Sequence, residues 1–537
     1  MSSEKGKEKV FLRTASGLVR SASTIDILLL NLTEISIGEA VAVLFLFLLI
    51  TVPGAYPPIA FALWSVVLIV PTLCWALMSI IFPRSGGDYV YNTRILTPSL
   101  GFVVNFQFVI WALFFVGWVA YYWVLSGLGV FVTAIGILFN QPSWLNAASF
   151  FSSQSGIFIV GSLLILALGG LAIMPLRYFF KFQKITVSIA MVGLIVAGVV
   201  LATATQQHFV EAFNSAVAPL TGSADYYHEV ISEAQAAGGT WPGYSIGPMF
   251  WSFTVIAMAN AITWFSAYIG SEIKRVERSQ LIGMVGALCL AGLITAVFTY
   301  LLINVAGINF LYSMAYLGYV SGGLKLPVET AFYHFLASVV AGNPILIILI
   351  LLSFVIWSWG YIMPILIPMP RTILAWALDR LIPAKIGEVN DRWTTPHWAT
   401  LICVLVSILF LGIYDYTTWL SFGSGLFGLM LATLFVSISA TILPWRMPKT
   451  YEASPLKKYE FKGIPALSVV GVCSFIIVLI LEIQYLIYTP NGANDPHSLA
   501  IIAVSLIAGL IIYVGAVRVR KREGIDIGNA YREVPPA

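Results

Sequence analysis

Twelve apolar runs succeed one another along the chain, near residues 25–49, 57–82, 102–136, 155–175, 183–204, 246–272, 280–306, 344–368, 397–413, 417–443, 465–488 and 498–517. A bilayer core about 30 Å thick takes about 20 helical residues, so each run is long enough to cross it. In hydrocarbon every backbone N–H and C=O needs an internal partner, and a helix supplies one within its own segment. The runs therefore predict an all-α polytopic membrane protein with twelve transmembrane helices. Composition agrees: charged residues make up 10% of the chain, against about 25% in a soluble domain.

The charges set the topology. Of the 28 Lys and Arg residues, all but Lys325 fall in the two tails, after even-numbered runs or at their feet. Positive charge collects on the cytoplasmic side, so both termini are expected there and 205–245 and 307–343 outside. A miscounted run would scramble this partition. The basic clusters beside runs read as topology signals and contacts to membrane lipid rather than nucleic-acid sites. The N-terminal 24 residues lack the short apolar core of a cleavable signal. A multi-pass protein of the plasma membrane is expected. Cys74, Cys289, Cys403 and Cys473 all lie inside apolar runs, so none is placed for an exofacial disulfide.

Two runs are interrupted. Run 25–49 carries Asn31, Thr33, Glu34, Ser36, Gly38 and Glu39 near its middle. A carboxylate at that depth costs about 2.5 kcal/mol or more on insertion scales, so this stretch should face protein or water. Ser36 and Gly38 permit the helix to unwind. Run 246–272 has Ala257, Ala259, Asn260 and Ala261 where a Leu/Ile run would stand, and five runs later it travels in the opposite direction. Amphipathic segments too polar to span follow run 2 (83–101) and run 7 (327–342). Matching interruptions in halves of opposite orientation predict a five-plus-five inverted repeat with broken helices 1 and 6. The repeats would occupy 25–204 and 246–443, joined by an extracellular loop at 205–245. Two extra C-terminal helices lie in 444–517, and cytoplasmic tails occupy 1–24 and 518–537.

Three segments resemble the amino acid–polyamine–organocation permeases. PRSGGDYVYNTR (83–94) is similar to their PxxGGxYxYxxR segment after the second helix. RTILAWALDRLIPAKIGEVNDRWTTPHWA (371–399) resembles their connection between helices 8 and 9, and FSAYIGSEIKRVERS (265–279) the end of their sixth helix. Their usual GxG in helix 1 stands here as Ser36-Ile37-Gly38 followed by Glu39, which leaves the substrate class open. Some proton-coupled relatives place a lysine in helix 5; this chain reads TVSIAMVGLIVAGVV (186–200). The resemblance implies a secondary active transporter that moves amino acids by alternating access, with polyamines or other organic cations as the alternative. No cofactor is implied beyond a coupled proton or sodium ion, and an oligomer is not required.

Beside that resemblance, the chemistry of broken helices points to a zwitterion. The N-terminal end of a half-helix favours anions and the carbonyl end favours cations. The substrate carboxylate is expected at N–H groups of Ser36, Ile37 and Gly38, with Thr33 close by. The ammonium is expected at carbonyls of Met258, Ala259, Asn260 and Ala261. Trp264 could stack over the substrate as a gate, or simply pack. Glu34 and Glu39 could carry coupling charge or tie helices together. Ser353 and Ser358 could meet a sodium ion, although such serines mostly bond back to their own helix.

Other classes fit less well. His208, His228, His334, His397 and His497 sit in connections or at run ends, with no HExxH and no Cys/His cluster, so no catalytic or metal-ligating set is expected. Ser424 in FGSGL lacks a histidine base and reads as close helix packing at Gly423 and Gly425. A channel would need filter groups repeated by subunit symmetry.

Overall fold

The computed structural model describes residues 18, 20–390 and 392–532. It is helical almost throughout. Among the described residues, eleven helices are long and apolar enough to cross a membrane: α1 (Thr24–Thr51), α2 (Pro57–Ile81), α3 (Pro98–Leu138), α4 (Gln154–Ile173), α5 (Leu176–Thr203), α7 (Val276–Ala306), α8 (Pro344–Leu378), α9 (His397–Tyr416), α10 (Phe422–Arg446), α11 (Ala466–Ile487) and α12 (Pro496–Arg522). The sixth, α6 (Ile246–Asn260), is shorter. Run 246–272 does not form one helix, because the chain leaves helical geometry after Asn260. It resumes only as tight 3₁₀ turns at Phe265–Tyr268 and Gly270–Glu272.

Helix ends follow local chemistry. Proline, whose missing N–H is harmless in a first turn, opens α2, α3, α8 and α12. Polar side chains take the orphan N–H groups at several starts. Thr97 accepts from Leu100 N, and Asp495 from the N–H groups of His497 and Ser498 at 3.0 and 3.1 Å. Without a hydrophobic drive between helices in lipid, packing depends on small residues that let backbones approach. At the foot of α10 a Cβ on Gly423 would lie 2.2 Å from the Asn491 carbonyl, and one on Gly425 2.7 Å from the Phe114 ring. That is the packing expected of FGSGL.

The segment 205–245, read from sequence as a loop, contains two helices, Gln206–Thr221 and Tyr226–Ala236. Their buried Phe213 and Tyr227 pack on Phe310 of the helix Ile308–Tyr316, with ring centroids 5.0 and 4.5 Å apart. Lys325 pairs with Glu229 and, at 2.8 Å, with Glu233. Those carboxylates hold its ammonium above the usual lysine range. The one basic residue outside the charge partition therefore fastens two connections of the same face together.

Candidate functional site

The first half of α1 starts from a reciprocal cap. Asp26 Oδ2 accepts from Ser23 N at 2.8 Å and Ser23 Oγ at 2.6 Å. This stretch ends at Ser36, whose φ of 48° and ψ of 71° are left-handed. A non-glycine residue held there costs about 1–2 kcal/mol, and Ser36 Oγ offsets some of it by donating to the Trp357 carbonyl at 3.0 Å. Helix resumes at Ile37 and passes through a wide π turn, Ala40–Leu44. The break is thus a kink at Ser36 rather than an unwinding at Gly38. Gly38 has a different job: a Cβ there would stand 2.6 Å from the Trp357 Cβ, so its bare backbone is what admits α8.

The break in α6 faces this kink. Both oxygens of the buried Glu34 accept from the Phe265 N–H at 3.3 Å, at the start of the tight turns that continue the span. Asn31 Nδ2 donates to Ser266 Oγ at 3.0 Å, Ser266 Oγ to Gln280 Oε1 at 2.7 Å, and Gln280 Nε2 to Ser79 Oγ at 2.7 Å. Glu34 and Asn31 therefore tie α1 to the second half of the sixth span. Asn260 Nδ2 donates to Ser65 Oγ on α2 at 2.7 Å. Trp264 is buried and lies flat on Trp75, with centroids 5.4 Å apart and planes 2° from parallel.

Between the breaks is a small cavity of about 30 Å³, lined by Ser36 and Glu39 of α1, Met258 of α6, Phe115 and Trp118 of α3, and Tyr361 of α8. That is room for about one water. Among the described residues, neither oxygen of Glu39 has a hydrogen-bond partner, although the residue is only 4% exposed. A buried carboxylate without a donor is expensive in low dielectric, so the position favours a cation or a proton as occupant.

Of the residues singled out in the sequence, the cavity gathers Ser36, Glu39 and Met258. Thr33, Ile37, Gly38, Ala259, Asn260 and Ala261 are buried around it but do not line it. Thr33 Oγ1 instead accepts from Gln183 Nε2 at 3.0 Å. Ser353 donates to the Ala190 carbonyl at 2.5 Å and Ser358 to that of Val355 at 3.3 Å, so both hydroxyl protons are spent on backbone. Phe115, Trp118 and Tyr361 escaped the sequence reading because an aromatic residue inside an apolar run carries no local mark.

A second polar centre lies where the three motif segments meet. Asp379 Oδ2 accepts from Tyr89 Oη at 2.7 Å and Arg94 Nη2 at 2.6 Å. Arg371 grips Glu272 with two bonds, Nε to Oε2 at 2.6 Å and Nη2 to Oε1 at 3.1 Å, and both side chains are buried. Asp88 Oδ1 accepts from Tyr268 Oη at 2.6 Å and Asn105 Nδ2 at 2.7 Å, while burial pushes its carboxyl up to about 7. The chain just before α1 is stitched to the end of the sixth span by Ala22 N to the Glu272 carbonyl (3.0 Å) and Lys274 N to the Ala22 carbonyl (2.9 Å). We call this region the junction.

A small cavity thus lies between two interrupted helices, and buried ion pairs join the motif segments. Residues 27–516 match the family model described as Amino acid permease. Cationic amino acid transporter 2, vacuolar, of Arabidopsis thaliana is 27% identical over 222 residues. That stretch covers 39% of this chain and 31% of the relative, so under a third of the relative's length is matched. The chain belongs to the amino acid permease family, within the amino acid–polyamine–organocation superfamily, and is a multi-pass membrane protein.

Proposed function

We infer that this protein moves amino acids across the plasma membrane by alternating access, with both termini cytoplasmic and substrate held at the cavity between the α1 and α6 breaks. The observation that carries the reading is Glu39, a carboxylate in the cavity wall with no donor of its own. Ser36 and the turn after it supply polar groups on one side, and Met258 with the carbonyls that end α6 supplies the other. Glu34 is already engaged at Phe265, which leaves Glu39 as the charged group free to act on substrate. An amino acid exceeds about 30 Å³, so loading requires the two inverted halves to part and close again. Glu39 serves either as counter-ion to a substrate ammonium or as the carrier of a coupled proton. Polyamines or other organic cations form the second reading, favoured by the same uncompensated charge. The relative named above transports cationic amino acids by its name, which agrees with a negative group at the site.

The test is uptake of labelled neutral and cationic amino acids into proteoliposomes, with polyamines as competitors and with pH or sodium gradients imposed. Wild-type protein should accumulate at least one amino acid. Glu39→Gln should lower uptake about tenfold or more, the loss of one hydrogen bond to a charged group, while the variant melts at or above the wild-type temperature. Full uptake by Glu39→Gln would remove that residue from the mechanism. Accumulation of polyamines alone would select the second reading.

A further inference from the structure

Away from the breaks, the ends of α2, α7 and α11 leave a cavity of about 280 Å³ at the protein surface. Its walls are apolar: Leu73, Leu77 and Ile80 of α2, Leu281 of α7, and Leu467 and Val470 of α11. The spacing of the first three puts them on one face of α2. Next in sequence to the lining residues Leu281 and Val470, Ile282 of α7 (40% exposed) and Val469 of α11 (51%) are apolar and exposed. Such a strip on a multi-pass protein is its face to the acyl chains.

The mouth is charged in a specific way. It is formed by the connection after α10, which contributes Pro455, Leu456, Lys458 and Tyr459, and by Glu277 near the start of α7. Lys457 is already neutralised by Glu460 at 2.9 Å. Lys458 lies over the Tyr459 ring at 5.0 Å, and among the described residues it forms no ion pair; neither does Glu277. One free cation and one free anion thus stand on the rim of an apolar slot that begins at a span end. Lys274, Arg275 and Arg278 flank Glu277 in sequence and would by themselves draw any anionic surface. A carboxylate in the cavity wall is what they do not account for.

We propose that this slot is a binding site for one phospholipid with a zwitterionic, primary-ammonium headgroup, its acyl chain between α2, α7 and α11, its phosphate on Lys458 and its ammonium on Glu277. An anionic headgroup carries the same phosphodiester for Lys458 but no cation to answer Glu277. A quaternary ammonium would offer that carboxylate no hydrogen-bond donor. The aromatic ring of Tyr459 at the rim suits the same depth, where amphipathic rings gather.

Native mass spectrometry of the full chain, released from vesicles of equal phosphatidylethanolamine, phosphatidylcholine and phosphatidylglycerol, tests the assignment. Wild-type protein should retain one phosphatidylethanolamine in preference to the other two by about threefold, the ratio an exposed ion pair supplies. Glu277→Gln, an exposed and structurally mild change, should abolish the preference over phosphatidylglycerol while a lipid is still held. Lys458→Gln should weaken retention of all three, and Leu77→Trp should fill the slot and empty it of lipid. Wild-type protein that retains no lipid, or retains the three equally, overturns the proposal. So does a Glu277→Gln variant whose preference is unchanged.

Discussion

Glu39 and Glu272 are both buried carboxylates in a chain that spans a bilayer, yet they live in opposite circumstances. Glu272 receives two guanidinium bonds from Arg371, while Glu39 receives none among the described residues. The junction pairs its charges inside the molecule, and the cavity leaves one without a partner among the described residues, the one that the proposed function assigns to substrate or a coupled proton. The difference separates holding from handling. Removing a group from the junction should be felt in stability, whereas removing Glu39 should be felt in transport.

The strongest way to break this comparison is Arg371→Ala. It strands Glu272 without a partner, and breaking a buried pair costs about 3–5 kcal/mol. The thermal melting temperature should fall steeply, and the double change Arg371→Met with Glu272→Met should recover most of the loss. A single variant that melts like wild type would show that the pair does not hold the junction closed.

Trp264→Ala sharpens the boundary between the two regions, because Trp264 ends the break in the sixth span and leads into the turns that reach the junction. Its full burial and flat contact with Trp75 predict a loss of stability of about 3 kcal/mol. Trp264→Phe, which keeps a ring on Trp75, should retain most of it. A Trp264→Ala protein with unchanged melting and impaired uptake would move this residue from packing to gating.

The smallest effect concerns pH. Burial holds Asp88 up to about 7, against about 3.9 in an unfolded chain. The folded junction therefore keeps a proton that the unfolded chain releases. Its stabilisation is full below about pH 4 and declines as pH rises to about 7, after which it is flat. Melting measured from about pH 5 to pH 8 should fall with rising pH, and Asp88→Asn should flatten the slope. An unchanged slope in Asp88→Asn would assign the dependence to another group.

The helical class was legible because apolar run length is a one-dimensional quantity, and so is the interruption of runs 1 and 6. Asn260 ends α6 where its alanine-rich neighbours predicted a break. What escaped were contacts set by tertiary approach. Glu34 and Glu39 look alike in sequence, and only the position of Phe265, 231 residues away from Glu34, separates a cap from an unpaired group. Gly38 read as a point of flexibility because sequence does not show Trp357 against it. The motif segments could be matched one by one, but not the meeting of Arg94 with Asp379, 285 positions apart.

The stitches between the start of α1 and the end of the sixth span have a mechanical consequence. Ala22 is bonded to Glu272 and Lys274, Asn31 to Ser266, and Glu34 to Phe265, so the attachment runs along the whole first half of α1. The two half-spans are thereby bonded into one unit. It is bounded where helical geometry fails, at Ser36 in α1 and at Ala261–Trp264 in the sixth span. If the halves part as proposed, these bonds would carry the two half-spans together.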